Sequence, residues 1–288
     1  VMALERITPR VFVETSNLGS NNSLIVGSEG NILVDSPHRP TDAIELAREA
    51  QEHGRLRFVV NTDHHPDHTI GNFWMPGEIV SHAGTRKRLI EEAPSDEYLQ
   101  NLMARIDPEA LPLMGDYKVR IPDVVFINEM TLHVGDLSLE LSFQPGHTAN
   151  SLLAYCPQEH VLFSGDIFCE AGLPSFQDSR VADWFSALEA VEAFDFEILV
   201  PGHGDVADRS AIERYRAQGR EVVQKVAAAI AAGHDCDQAM DEIRFEDRIH
   251  VDTDQYIGYP DDLIEMFQRR SVSRIYEDLV ANPNLVDR

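Results

Sequence analysis

The chain has 288 residues, 43% of them apolar, which is enough to bury a full core in one large domain or a domain with an appendage. Its 24 basic residues against 49 acidic ones leave a formal charge of -25, which disfavours nucleic acid, anionic membrane or any polyanion as a partner. No apolar run approaches the ~20 residues of a membrane span, and "VMALERITPR" lacks the apolar segment of a signal peptide. Three scattered cysteines fit neither a disulfide framework nor a cysteine zinc site, so the expected setting is a reducing cytoplasm.

In chain order, "RVFVET" and "NNSLIVGSEGNILVDSP" read as strands, the second stretch as a hairpin turning around Gly30. "RPTDAIELAREAQEHG" places Ala43, Ile44, Ala47 and Ala50 at helical spacing, with Thr41 as N-cap and Gly54 as stop. "RFVVNTD" is a buried strand, and its C-terminal end opens into "NTDHHPDHTIGN", with three histidines and two aspartates between Asp63 and His68. Imidazole and carboxylate at that density are metal donors, and strand ends are where α/β sheets place their sites.

Helix and loop follow over 93–114, punctuated by Pro94, Pro108 and Pro112, and this stretch could form a lid or substrate wall. Strands then resume. Leu137, Leu139 and Leu141 alternate with polar residues before Gly146-His147, "HVLFSGDIF" carries Asp166, and "FEILVPGHGDV" carries His203 after a buried strand. From about Val206 the texture is helical, with Ile212, Tyr215, Val222, Val226 and Ile230 forming a packing stripe interrupted by Gly219.

The ordered set "DHHPDH", "PGHT", "SGD" and "PGHG" resembles the metallo-β-lactamase superfamily over roughly residues 8–206. The resemblance implies an αββα sandwich (1–206), here with a helical C-terminal extension (207–288) packing on it. It implies two divalent metal ions, zinc first: one held by Asp63, His65 and His147, the other by Asp67, His68 and His203, with Asp166 between them. Asp67 would also orient or deprotonate the attacking water, and Asp35 of "ILVDSP" would support a ligand from behind. The family pattern has histidine where Asp63 stands. A carboxylate makes the first position harder and richer by one negative charge, which opens it to iron or manganese, unless Asp63 marks a decayed site that merely hydrogen-bonds its own backbone. His64 should point the opposite way, as neighbours on an extended segment do.

The expected function is therefore a metal-dependent hydrolase using a metal-activated water on a small ester, lactone, amide or thioester. The alternatives are a non-haem iron oxidoreductase, since two histidines and a carboxylate are an iron set, and a catalytically silent metal-binding homologue. Histidines 38, 53, 82, 133, 160, 234 and 250 lie outside the motifs and read as surface or packing residues, His38 the least so because it follows Asp35. Cys169 reads as a buried inert thiol, while Trp74, Phe168, Tyr256 and Tyr259 fit either a pocket wall or the core. A small-molecule substrate is the expected partner, and the C-terminal helices offer a face for a homodimer.

Overall fold

The computed structural model describes residues 4–244 and 262–288. Tyr256, Tyr259 and His250 lie outside the described residues. Two sheets form the centre. The first has seven strands in sequential order, β1 (Glu5–Arg6), β2 (Val11–Glu14), β3 (Asn22–Gly27), β4 (Gly30–Val34), β5 (Leu56–Asn61), β6 (Glu78–His82) and β7 (Val124–Phe126). Antiparallel pairing up to β4 changes to parallel pairing from β4 onward, because short turns join the early strands and helices join the later ones. The β3–β4 hairpin turns at Gly27–Gly30, as its glycines predict.

The second sheet is ordered β12 (Ile198–Pro201), β11 (Val161–Gly165), β10 (Leu152–Cys156), β9 (Leu137–Phe143) and β8 (Glu129–Val134). Val13, Ile25, Ile32 and Val60 of the first sheet meet Leu139, Leu141, Leu152 and Phe163 of the second in one buried core. Helices cover the outer faces, and α2 (Pro66–Thr69), α3 (Ala83–Glu91) and α4 (Asp96–Ile106) join strands of the first sheet. Helix α1 (Pro40–Glu52) lays Ala43, Leu46, Ala47 and Ala50 on Leu24, Leu33 and Ile79 of the first sheet. Its start differs from the Thr41 expectation: Pro40 opens the helix after Arg39, and the Thr41 hydroxyl donates to Asp107 instead. Ile44 is 41% exposed, since its position faces away from the stripe set by Ala43, Ala47 and Ala50.

On the other face, α5 (Val181–Ala193), α6 (Ser210–Ala231) and α8 (Leu263–Ala281) share a core with Leu153, Leu162 and Leu199 of the second sheet. Of the α6 stripe expected at Ile212, Tyr215, Val222, Val226 and Ile230, the first four are buried there and Ile230 is partly buried against the same core, and Gly219 within it takes the ring of Trp184 against its bare Cα. Short α7 (Cys236–Glu242) packs on α8. The N-terminus of α5 lacks a side-chain cap of its own; the buried carboxylate of Asp278 on α8 accepts from Val181 N at 2.8 Å and from Arg180 at 2.6 Å. Ser271 on α8 accepts from Phe176 N at 3.1 Å. These contacts hold α8 beside the strand ends. Among the described residues no helix is long and apolar enough to cross a membrane.

Asn21, in the loop before β3, reaches between the sheets. Its backbone N–H donates to Gly202 O at 2.7 Å, and its side chain donates to Pro201 O and Gly204 O at 2.9 and 2.8 Å.

Candidate metal centre

All seven residues that the motifs nominate meet at one edge of the sandwich, at the C-terminal ends of β5, β9, β11 and β12. After β5, His65 is extended because Pro66 follows it, and Pro66 opens a short helix (Pro66–Thr69) that brings Asp67 and His68 back beside the strand. The buried amide of Asn61, oriented by Asn72, and the hydroxyl of Ser36 both donate to His68 O. Asp166 follows directly on β11, and His203 follows β12 within two residues.

The seven form two adjoining groups whose donor atoms are close enough to share a cation: Asp63, His65, His147 and Asp166, and Asp67, His68 and His203. Asp166 divides its oxygens between them. Oδ2 is 3.4 Å from His147 Nε2, while Oδ1 is 3.4 Å from both His68 Nε2 and His203 Nε2. His203 Nε2 is also 3.3 Å from Asp67 Oδ2. In the first group, Asp63 Oδ2 lies 3.6 Å from His65 Nδ1 and 3.9 Å from His147 Nε2, and those two ring nitrogens face one another at 3.1 Å. Asp63 thus occupies the position of a donor. Its other oxygen accepts from His65 N at 2.8 Å, the local bond expected of a decayed site, yet Oδ2 still points inward.

The residues fit a cation. Asp63 Oδ2, His68 Nε2 and Asp166 Oδ1 are buried, face the centre and have no hydrogen-bond partner among the described residues, a costly arrangement that a metal would satisfy. A side chain at Gly202 would place its Cβ 1.9 Å from Asp166 Oδ1, so only glycine leaves that carboxylate its place. Burial disfavours charge throughout, but the charges answer one another. Burial alone would lower His65 and His203; Asp63 and the Asp178 hydrogen bond bring His65 up to about 9, and Asp166 with Asp67 brings His203 up to about 10. Asp63, Asp67 and Asp166 are held below the usual carboxylate range by the surrounding imidazoles, against the opposing effect of burial. Burial lowers His147.

Asp35 touches neither group's centre. It accepts from His68 Nδ1 at 2.9 Å and from the N–H and hydroxyl of Thr62 at 2.8 and 2.7 Å, at a positive φ of 57° that a non-glycine residue rarely adopts. His68 is therefore fixed with Nε2 toward the centre. His64 belongs to neither donor group, but it does not point away from His65 as the extended segment predicts: the two rings are 4.7 Å apart, and its donor atoms cluster with those of His65 and Asp178. Its Nε2 accepts from Arg88 Nε at 3.3 Å, and burial lowers its pKa to about 4.

The sequence reading missed Asp178. This residue lies on the irregular loop between Asp166 and α5, accepts from His65 Nε2 at 3.0 Å, and is itself 3.8 Å from Arg88. A backbone bridge to Thr148 places it beside His147. In a chain this rich in acids, a lone aspartate on a loop carries no signal. His38 is buried and lines the cavity. The Cys169 thiol, also in the lining, is pushed well above its usual pKa by burial.

Above the centre is a cavity of about 960 Å³. Its walls come from α4 (Asp96–Ile106), the 171–178 loop and α8. The 93–114 stretch does form a wall. Trp74 and Phe168 do not: Trp74 packs on Phe73 and Tyr117, and Phe168 on Tyr215.

A family model described as the metallo-beta-lactamase superfamily matches residues 16–203. A probable metallo-hydrolase of Methanocaldococcus jannaschii is 26% identical over 201 residues, 67% of this chain and 91% of that one. The human acyl-coenzyme A thioesterase MBLAC2 is 25% identical over 215 residues, 67% of this chain and 75% of that one. A beta-lactamase-like protein 2 homolog of Caenorhabditis elegans is 30% identical over 97 residues, a span of only 32% of either chain. Among solved structures, a metallo-beta-lactamase from Pontibacter korlensis superposes with a TM-score of 0.61 at 20% identity, covering 76% of this chain and 99% of that one. With the matched region spanning more than half its length and both sheets, this chain belongs to the metallo-beta-lactamase superfamily.

Proposed function

We propose that the protein is a metal-dependent hydrolase of a small ester, lactone, amide or thioester. The observation that carries this reading is the pair of donor groups joined through Asp166 on the floor of a cavity of substrate size. When bound, two divalent cations supply an activated water and an electrophile for the carbonyl. Zinc suits the Asp67, His68 and His203 group; the first group, with oxygen from both Asp63 and Asp166, also suits iron or manganese.

The chain's own residues do the rest. Asp67, with Oδ2 near His203 and its backbone carbonyl held by the Ser20 hydroxyl at 2.7 Å, is placed to orient the water and take its proton. Asp35 and Asp178 fix the rings of His68 and His65. Relatives named as a thioesterase, a probable hydroxyacylglutathione hydrolase and an alkylsulfatase support hydrolysis as the class while differing in substrate.

The test is a panel of p-nitrophenyl esters, lactones and acyl thioesters with zinc-, manganese- and iron-loaded protein. Turnover that His68→Ala and His203→Ala abolish is expected; near wild-type rates in both variants would reject the assignment. The first group, two histidines with two carboxylates, favours a second reading as an iron oxidoreductase. Iron retained through purification together with oxygen consumption would select it. A protein that retains no metal would instead be a silent homologue.

A further inference from the structure

The two helices that wall the cavity present matching stripes. The α4 lining includes the run Tyr98, Asn101, Leu102 and Arg105, beside Ala104; the α8 lining includes the run Leu263, Met266, Phe267 and Arg270, beside Gln268 and Ser271. Each set follows the i, i+3, i+4, i+7 spacing of one helix face. Each run ends in an arginine two turns, or roughly 10 Å, from its start, after Leu102 on α4 and after Met266 and Phe267 on α8.

Every acid that lines the cavity among the described residues is committed at the metal end: Asp67 and Asp166 belong to the donor groups, and Asp178 holds His65. The remaining charged side chains of the lining, histidines aside, are Arg105 and Arg270. In a chain with twice as many acids as bases, chance would favour the opposite sign. Both arginines are exposed, and among the described residues neither has an ion-pair partner.

On the hydrolase reading, we infer that Arg105 and Arg270 form an oxyanion-recognising subsite, and that the substrate is an amphiphile with an apolar middle and a second anionic group remote from the scissile bond. Guanidinium recognises carboxylate, phosphate and sulfate through the same paired N–H geometry. Leu102, Met266 and Phe267, which line the same cavity, would hold the connecting chain.

The test is calorimetric titration of the zinc-loaded protein with three probes that share a carboxylate head and an eight-carbon backbone: octanoate, suberate and 8-phosphonooctanoate. Suberate, 8-phosphonooctanoate or both should bind roughly tenfold tighter than octanoate, and which one does so identifies the oxyanion. Arg105→Gln and Arg270→Gln should each remove most of that advantage and leave octanoate unchanged. The double variant should bind all three within about twofold, and added salt should narrow the wild-type gap. Equal affinity for all three probes in the wild type, or an advantage that survives in the double variant, overturns the subsite. Because binding is read without turnover, a protein inactive on every ester, lactone and thioester would defeat the hydrolase reading and leave this measurement intact. An active protein with no preference among the probes would do the reverse.

Discussion

The Nε2 of His65 and the Oδ2 of Asp178 are 3.0 Å apart, and this contact decides which nitrogen of His65 faces the first donor group. With Nε2–H donating to the carboxylate, Nδ1 is the unprotonated donor turned toward Asp63 and His147 in the neutral ring. Asp178→Ala should weaken metal binding at the first position by roughly 10–100-fold and leave the second near wild type. Chelator competition with separate metal analysis reads both; unchanged affinity at the first position would show that the His65 ring is held by its packing alone.

Asp63 makes a prediction about metal count and kind. Wild-type protein should take up two equivalents, since Asp63 Oδ2 is buried, inward and unpartnered. Asp63→Ala should reduce uptake to one, and Asp63→His should raise the preference of the first position for zinc over iron or manganese. Inductively coupled plasma analysis after equilibrium with mixed metals checks this. A wild type that never exceeds one equivalent would mean that the position has decayed.

The charged histidines of the metal-free protein predict a pH dependence. His65 near 9 and His203 near 10 lie above the ordinary histidine value of about 6.5. Raised folded-state values add stability that is fully present below about 6.5 and is lost as pH rises through 9 and 10. Over the same window metal binds more tightly, since fewer protons must be displaced. The gap in Tm between metal-loaded and metal-free protein should therefore widen from pH 7 to pH 10. A constant gap would mean that the histidines are neutral before metal arrives.

Gly219 predicts a cost within α6. An alanine Cβ there would lie 2.4 Å from the buried ring of Trp184, which has no room to retreat among Phe176, Phe185 and Tyr215. Overpacking of this kind costs about 1–3 kcal/mol, more than the ~1 kcal/mol that alanine gains over glycine in a helix. Gly219→Ala should lower Tm, and an unchanged or higher Tm would show that α6 can slide on α5.

The strands that lead into the donors, β5, β9, β11 and β12, were legible because their apolar runs are short and are followed by histidine or aspartate, whereas β1, β6 and β10, which lead into no donor, went unread. The donor set was legible for the same reason: Asp63 to His68 are six adjacent positions, and His147, Asp166 and His203 each follow a buried strand. Asp178 was not, since it acts through a loop whose path depends on a backbone bridge to Thr148. Thr41 has the chemistry of an N-cap, yet Pro40 had already fixed the helix start and Asp107 offered its hydroxyl a long-range acceptor. The role of α8 was hidden because its cavity stripe has meaning only once Asp278 and Ser271 hold it beside β11 and β12.

Asn21 ties the loop before β3 to the loop that carries His203, and the donors divide along the same line. Asp63, His65, Asp67 and His68 follow a strand of the first sheet; His147, Asp166 and His203 follow strands of the second. A cation bound here acts as a rivet between two plates. Neither plate alone offers a complete set at either position, so metal affinity grows only after the sheets have docked, and by mass action bound metal then opposes their parting. Slow exchange of the metal would accordingly report the rate at which the sandwich opens at this edge, with Asn21→Ala as the change that should quicken it.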